Sequence, residues 1–164
     1  TYAIIKTDVP YYPDDFPADF PVGKDIDVIV AKDDFAQLKK RLYAFCSEHY
    51  AKDYELSLIE EENRFRIRIE KNNLLLLQDD ISWSSEYSND FFADTLAERV
   101  KQDSYYILKP AHEYIVRMAE YKKNRSKLHH LEYLRAHTAD YDEALALRYL
   151  GFALADLIDV RAEF

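Results

Sequence analysis

The sequence contains only two glycines in 164 residues, and this scarcity excludes the common glycine-rich phosphate loops. A P-loop requires two glycines in the pattern G-x-x-x-x-G-K-[ST], and a dinucleotide-binding Rossmann fingerprint requires three closely spaced glycines. Gly23 and Gly151 are too far apart to form either motif. A nucleotide could therefore be held only by other groups.

Cysteine is also scarce, because Cys46 is the single one and cannot form an intramolecular disulfide. This favours a reducing compartment, and we expect a cytoplasmic protein. No apolar run approaches the roughly 20 residues of a membrane-spanning helix, and no signal peptide is visible, so we expect no membrane partner. The start at Thr1 leaves open a trimmed chain or a part of a larger protein. An oligomer is also left open.

Basic residues are outnumbered, with 22 Lys and Arg against 31 Asp and Glu and a net charge of −9. General nucleic-acid binders are normally basic, so long nucleic acid is not expected as a partner. The acidic balance does not exclude a site that binds anions through metal ions. A hydrophobic fraction of 48% indicates a globular chain with one domain, or one domain with a small appendage.

The first half of the chain has the pattern of strands with one helix. Short apolar runs bounded by polar turns predict five strands, at residues 2–6, 25–30, 54–60, 64–70 and 73–80. Residues 7–21 hold four of the five prolines and predict an irregular loop. Helical spacing of apolar residues predicts a helix from Phe35 to about Tyr50, with Asp33 or Asp34 as its N-cap.

The second half is predicted to be mainly helical. A short helix is expected within 89–100, a long helix from Ala111 to about His137, and a last helix over 140–160. Pro110 is a suitable first residue for the long helix. The sequence therefore predicts an α+β fold with a mixed sheet and helices on one face in residues 1–88, and a helical region packed on this core in residues 89–164.

Two acids at the entrance of a buried strand are the main functional signal. Asp25 and Asp27 are two residues apart, so their side chains point to one face of the strand. Four leucines of a later strand lead into Asp79 and Asp80. Mg²⁺ prefers oxygen ligands, and two-metal phosphoryl-transfer sites use several carboxylates. The competing interpretation is a solvated strand end, because acidic residues are common there.

The order of these motifs resembles the nucleotidyltransferase fold, the DNA polymerase β-like superfamily. Its members have a strand, a turn, a D-x-D at the start of the next strand and a third Asp on a later strand. Here these parts read YAIIK, GKDIDVIV and LLLLQDDI, within about residues 2–81. Residues 105–125 resemble the helical region that often follows in small bacterial members. The resemblance implies a nucleotidyltransferase-like mixed sheet.

The resemblance also implies roles for the acids. Asp25 and Asp27 match the metal ligands of the D-x-D, and Asp80 matches the third acid because an apolar residue follows it. In the family, the third acid is the general base that activates the acceptor hydroxyl. Asp79 would face the other side of a regular strand and is the alternative third acid. The implied cofactor is Mg²⁺ or Mn²⁺, and the implied substrate is a nucleoside triphosphate.

The chain departs from the family at the phosphate-binding turn. The first strand of the family typically ends in Gly-Ser or Gly-Gly, whereas this chain has Lys6 and Thr7. Lys6 could bind a phosphate as a point charge. Together with Gly23 and Lys24 before the D-x-D, these residues form the predicted nucleotide-binding set. The departure also leaves open an inactive domain.

Three arginines alternate with apolar residues on one strand, at Arg64, Arg66 and Arg68. They could bind a triphosphate or an acidic acceptor, because a guanidinium binds phosphate bidentately. The alternative is a solvated sheet face balanced by nearby glutamates.

These features predict a metal-dependent nucleotidyltransferase that moves a nucleoside monophosphate from the triphosphate to a hydroxyl of a small molecule, a sugar or a protein. The first alternative is a catalytically inactive nucleotidyltransferase-like domain that binds a ligand or partner. A second is an adaptor whose helices assemble with other chains. Three clustered acids favour the enzyme, because carboxylates that converge are expected to repel one another.

Overall fold

The computed structural model describes residues 1–8, 12–13, 15–16, 19, 22–83 and 90–158 of the chain. Within these residues the strands are β1 (Tyr2–Ile5), β2 (Asp25–Val30), β3 (Glu55–Glu60), β4 (Arg64–Lys71), β5 (Leu74–Ser82), β6 (Val100–Gln102) and β7 (Tyr105–Ile107). The α-helices are α1 (Lys32–Tyr50), α2 (Phe91–Ala97), α3 (Pro110–Lys123), α4 (Leu128–Ala136) and α5 (Glu143–Leu150). Two short 3₁₀ helices lie at Thr138–Asp140 and Leu154–Asp156. The predicted α+β class is confirmed, and the predicted loop at 7–21 lies largely outside the described residues.

All seven strands form one mixed sheet, in the order β3-β4-β5-β2-β1-β7-β6. The pairs β2–β5 and β1–β7 are parallel, and the other neighbouring pairs are antiparallel. The parallel pair at the centre places β5 directly beside β2, although α1 and two strands separate them in sequence. This pairing brings the acids of the two strands together.

Helices cover both faces of the sheet, with α1 on one face and the helices after residue 88 on the other. Val30 packs with Phe65, Ile81 and the α1 residue Cys46 in one buried cluster. Its neighbour Ile29 belongs to a second cluster, formed mainly with α2, α3, α4 and α5. Alternate residues of a strand point to opposite faces, so β2 is buried on both sides.

The predicted long helix over 111–137 is wrong, because α3 ends at Lys123 and α4 begins at Leu128. Asn124 leaves the helical conformation, with φ −142° and ψ 94°. Its side-chain oxygen accepts hydrogen bonds from the backbone N–H and the hydroxyl of Ser126, at 3.1 and 2.7 Å. Such local bonds stabilise a turn in place of the next helical turn.

The last predicted helix, over 140–160, is wrong in length. It begins at Glu143, where the Asp142 carboxylate accepts the N–H of Leu145 at 3.1 Å, and it ends at Leu150. Gly151 follows in the left-handed conformation with φ 71°, which is a common way to end a helix. Apolar residues continue beyond it, which is why the periodicity predicted a longer helix.

Other boundaries also differ from those predicted. The N-cap of α1 is Ala31, while Asp33 and Asp34 lie in the first turn, where acids favour a helix N-terminus. Strand β6 was not predicted. It pairs with β7, which itself pairs with β1 through Ile4 and Ile107, so the region after residue 88 extends the sheet. The predicted boundary after residue 88 stays a prediction.

Among the described helices, none combines the length and the apolar character that crossing a membrane requires. The cytoplasmic location stays a prediction.

The left-handed residue after α5 gives a test of this helix end. Replacing Gly151 with Ala should lower the free energy of unfolding by about 1 kcal/mol, because a Cβ disfavours positive φ. The added methyl group would meet no atom within 4 Å, so steric contact would not contribute. Urea unfolding measures the change, and Gly151→Asn should cost less than Gly151→Ala because asparagine tolerates this conformation. Equal stability of the alanine variant and the parent would contradict the assigned backbone.

Candidate metal centre

Three carboxylates converge on one face of the sheet centre. The register between the parallel strands β2 and β5 places Asp27 directly opposite Asp80. Asp25 lies two residues before Asp27 on β2, on the same face. One oxygen of each carboxylate lies within 4.8 Å of the others. Asp80 is buried and the other two are partly buried. The structure thus brings together the three acids that the sequence predicts as metal ligands.

The acids border a cavity of about 140 Å³ between the sheet and the helices. Asp27 and Asp80 line it from the sheet side, with Lys6 and Arg64 beside them. From the helices, the cavity is lined by Phe92 of α2 and by Val116, Glu120 and Lys123 of α3. The cavity is therefore lined by acidic, basic and apolar side chains.

Lys6 places its ammonium at the D-x-D. Its Nζ lies 2.6 Å from Oδ2 of Asp27, and only about a sixth of either side chain is exposed. Burial raises the pKa of Asp27, although Lys6 acts in the opposite direction. Burial alone would lower the pKa of Lys6, but Asp27 and other carboxylates raise it, so the ammonium stays charged. Lys6 is thus the built-in counter-ion of Asp27.

The three arginines that were predicted to bind phosphate pair with acids of the protein itself. Nε of Arg64 lies 2.8 Å from Oδ1 of Asp80, and Nε of Arg66 lies 3.0 Å from Oδ2 of the same carboxylate. The hydrogen bond to Asp80 raises the pKa of Arg66. Arg68 pairs with Glu70 at 3.0 Å. Arg64 is the member of the three that lines the cavity.

These ion pairs correct the expectation that the three acids simply repel one another. Lys6 offsets Asp27, and two guanidinium groups hold both oxygens of Asp80. Asp25 accepts no hydrogen bond and forms no ion pair within the part of the chain that the structure describes. The cluster is therefore tolerated without a metal, and Asp25 keeps its oxygens available for one.

Sequence reasoning missed a buried pair that supports Lys6. Both carboxylate oxygens of Glu113 accept the backbone N–H of Lys6, at 3.1 and 3.2 Å. Arg117, which is fully buried, donates from Nε to Glu113 at 2.7 Å and stacks over the ring of Tyr133. The signal was an acid and a base four residues apart, Glu113 and Arg117, in the otherwise apolar stretch from Glu113 to Ala119.

The other predicted nucleotide-binding residues do not join the cluster. Thr7 lines a separate cavity with Asp8, Tyr12 and Phe16. Gly23 has φ 75° and donates its N–H to the carbonyl of Leu76 at 3.2 Å, so it forms a turn beside β5. Lys24 follows on the surface. Lys6 is the member of the predicted set that forms an ion pair with Asp27.

Asp79, the alternative third acid, lies on the opposite face and is excluded from the cluster. It lines an apolar cavity of about 300 Å³ with Leu38 and Leu42 of α1. Burial raises its pKa to about 6. Asp80 is therefore the third acid in the structure.

No protein-family model matches the sequence, and no curated protein is significantly similar to it. The chemistry of the site therefore has to be inferred from its own residues.

The burial of Asp79 predicts a pH-dependent cost. The pKa of Asp79 is about 6 in the folded protein and has the ordinary value of 3.8 in the unfolded chain. The folded protein therefore binds the carboxyl proton more tightly, and ionisation between about pH 4 and pH 6 lowers the free energy of unfolding. Asp79→Asn should therefore be more stable than the parent by about 1–3 kcal/mol near neutral pH. This difference should shrink as the pH falls through 6 toward 4.

Urea unfolding across this pH range, with exposed Asp53→Asn as the control, measures the effect. A constant difference between Asp79→Asn and the parent over the whole range would contradict the raised pKa of this half-buried carboxyl.

Proposed function

We propose that the protein is a divalent-metal-dependent nucleotidyltransferase. The supporting observation is the convergence of Asp25, Asp27 and Asp80 to within 4.8 Å beside a cavity that also contains Lys6 and Arg64. Clustered carboxylates bind hard cations, and adjacent cationic side chains bind phosphate. A site with both suits a metal-bound triphosphate.

The donor set fits Mg²⁺ or Mn²⁺, because all three ligands are carboxylate oxygens and no sulfur or imidazole takes part. Asp25, Asp27 and Asp80 would hold the ion. A bound divalent cation supplies charge neutralisation at the phosphate and makes an acceptor hydroxyl more acidic.

The protein's own residues have separate tasks in this proposal. Lys6 replaces the missing Gly-Ser turn as the phosphate-binding group, and Arg64, whose side chain is 38% exposed, adds a second cation at the cavity mouth. Arg66 is less exposed, at 26%, and keeps the carboxylate of Asp80 in position. Asp80 accepts the proton of the acceptor hydroxyl when Arg64 turns toward the phosphate.

The acceptor in this proposal is a hydroxyl of a small molecule, a sugar or a protein. The acidic net charge of −9 disfavours long nucleic acid.

A second candidate is an inactive nucleotidyltransferase-like domain that binds a ligand or partner. One observation favours it: Lys6, Arg64 and Arg66 already satisfy Asp27 and Asp80. In an inactive domain these cations would stay in place in the presence of metal and nucleotide.

Thermal unfolding with metal and nucleotide separates the two candidates. With Mn²⁺ or Mg²⁺ and the correct nucleoside triphosphate, the melting temperature should rise by several degrees, because a ligand that binds only the folded state stabilises it. Asp25→Asn should abolish the metal-dependent part of the rise without lowering the melting temperature of the free protein, since Asp25 forms no ion pair within the described residues.

Asp53→Asn, an exposed change in the turn between α1 and β3, should respond like the parent. The absence of a shift with every combination of the two metals and four nucleotides would contradict the proposed enzyme and favour the inactive domain.

A further inference from the structure

Lys6, whose ammonium pairs with Asp27, has an unusual backbone conformation. Lys6 has φ 59°, in the left-handed region that L-residues other than glycine rarely adopt. It follows directly after Ile5, the last residue of β1. A glycine would adopt this φ without strain, so a lysine here indicates that its side chain is needed.

The backbone of Lys6 is hydrogen-bonded to a side chain of α3. The N–H of Lys6 donates to both oxygens of Glu113, across 107 positions of sequence. A bond to an ionised acceptor is stronger than one between neutral groups. The N–H would otherwise be a polar group in a partly buried position, so Glu113 both satisfies it and fixes its direction.

Glu113 is itself immobilised. Its partner Arg117 has no exposed surface and makes three further contacts. It lies 4.7 Å from the Tyr133 ring centre, and its Nη atoms lie 3.3 Å from Nδ1 of His130 and 3.4 Å from the carbonyl oxygen of Asp8. These contacts come from α4 and from the segment after β1. The carboxylate therefore cannot turn away from Lys6 without stranding a buried guanidinium.

We propose that Glu113, braced by Arg117, is a positioning residue for Lys6. It holds the Lys6 backbone in the left-handed conformation. This conformation directs the side chain toward Asp27, so that the ammonium lies 2.6 Å from its carboxylate. A phosphate would bind at this side of the cavity. Phosphate recognition by Lys6 rests on the proposed function, whereas the positioning of the ammonium at Asp27 does not.

Two variants separate positioning from simple charge pairing. Glu113→Gln keeps an oxygen that accepts the Lys6 N–H but removes the negative charge. The double change Glu113→Met with Arg117→Met removes the acceptor and the buried ion pair together, and replacing both members of such a pair with apolar residues is often tolerated.

The readout is the rate at which acetic anhydride acylates the Lys6 amine, followed by peptide mass spectrometry. Lys39 is the internal reference, because it also pairs with a carboxylate, Glu60, at 2.7 Å and lies away from α3. Relative to Lys39, Lys6 should react at least about threefold faster in the double variant, because its amine would leave the partly buried contact with Asp27 and become accessible to the reagent. In Glu113→Gln it should react nearly as in the parent. An unchanged Lys6 rate in a folded double variant would overturn the proposal.

A measurement on the parent protein keeps the test independent of folding in the variants. The backbone amide of Lys6 should exchange its hydrogen slowly, because it is bonded to a buried carboxylate. Exchange as fast as that of an exposed turn amide would overturn the proposal. Addition of Mn²⁺ and a nucleoside triphosphate should slow Lys6 acylation further. If this addition has no effect while the variants behave as expected, the proposed enzyme fails and the positioning role stands.

Discussion

The site depends on the register between β2 and β5. These parallel strands place Asp27 opposite Asp80, with Asp25 one alternation away on the same face. A slip of one residue would turn Asp80 toward α1 and bring Asp79 into the cluster. The apolar neighbours fix the register, because Ile29 and Val30 are both buried, on opposite faces, and Ile81 is buried against α1. Packing on both sides of the sheet thus determines which three carboxylates meet.

Internal cations make this arrangement stable before any ligand arrives. Lys6 and two arginines of β4 neutralise two of the three acids, so the free protein does not carry three unpaired charges in a partly buried cavity. Two of these cations, Lys6 and Arg64, are the phosphate-binding groups of the proposed enzyme, while Arg66 keeps Asp80 in position. Binding a metal and a triphosphate would then exchange partners: the acids pass from cations of the protein to the metal, and the cations pass to the phosphates. Such an exchange leaves no buried charge without a partner, and an uncompensated buried charge is strongly destabilising.

The sequence predicted the parts of the site that follow a local pattern. The shared face of Asp25 and Asp27 follows from the two-residue period of a strand. The choice of Asp80 over Asp79 came from the resemblance, in which an apolar residue follows the third acid. The breaks at Asn124 and Gly151 were not predicted, because apolar periodicity continues across both. The pairing of Lys6 with Asp27 and the hydrogen bonds from the Lys6 N–H to Glu113 were also not predicted. These contacts depend on where β1 and α3 meet, and Lys6 and Glu113 lie 107 positions apart.

Anomalous X-ray diffraction from crystals grown with Mn²⁺ and a non-hydrolysable nucleoside triphosphate analogue would test the proposed site most directly. The account predicts an anomalous peak bonded to carboxylate oxygens of Asp25, Asp27 and Asp80, with the analogue's phosphates against Lys6 and Arg64. A map with nucleotide or metal elsewhere, or with Lys6 still on Asp27 and no peak among the three acids, would contradict it.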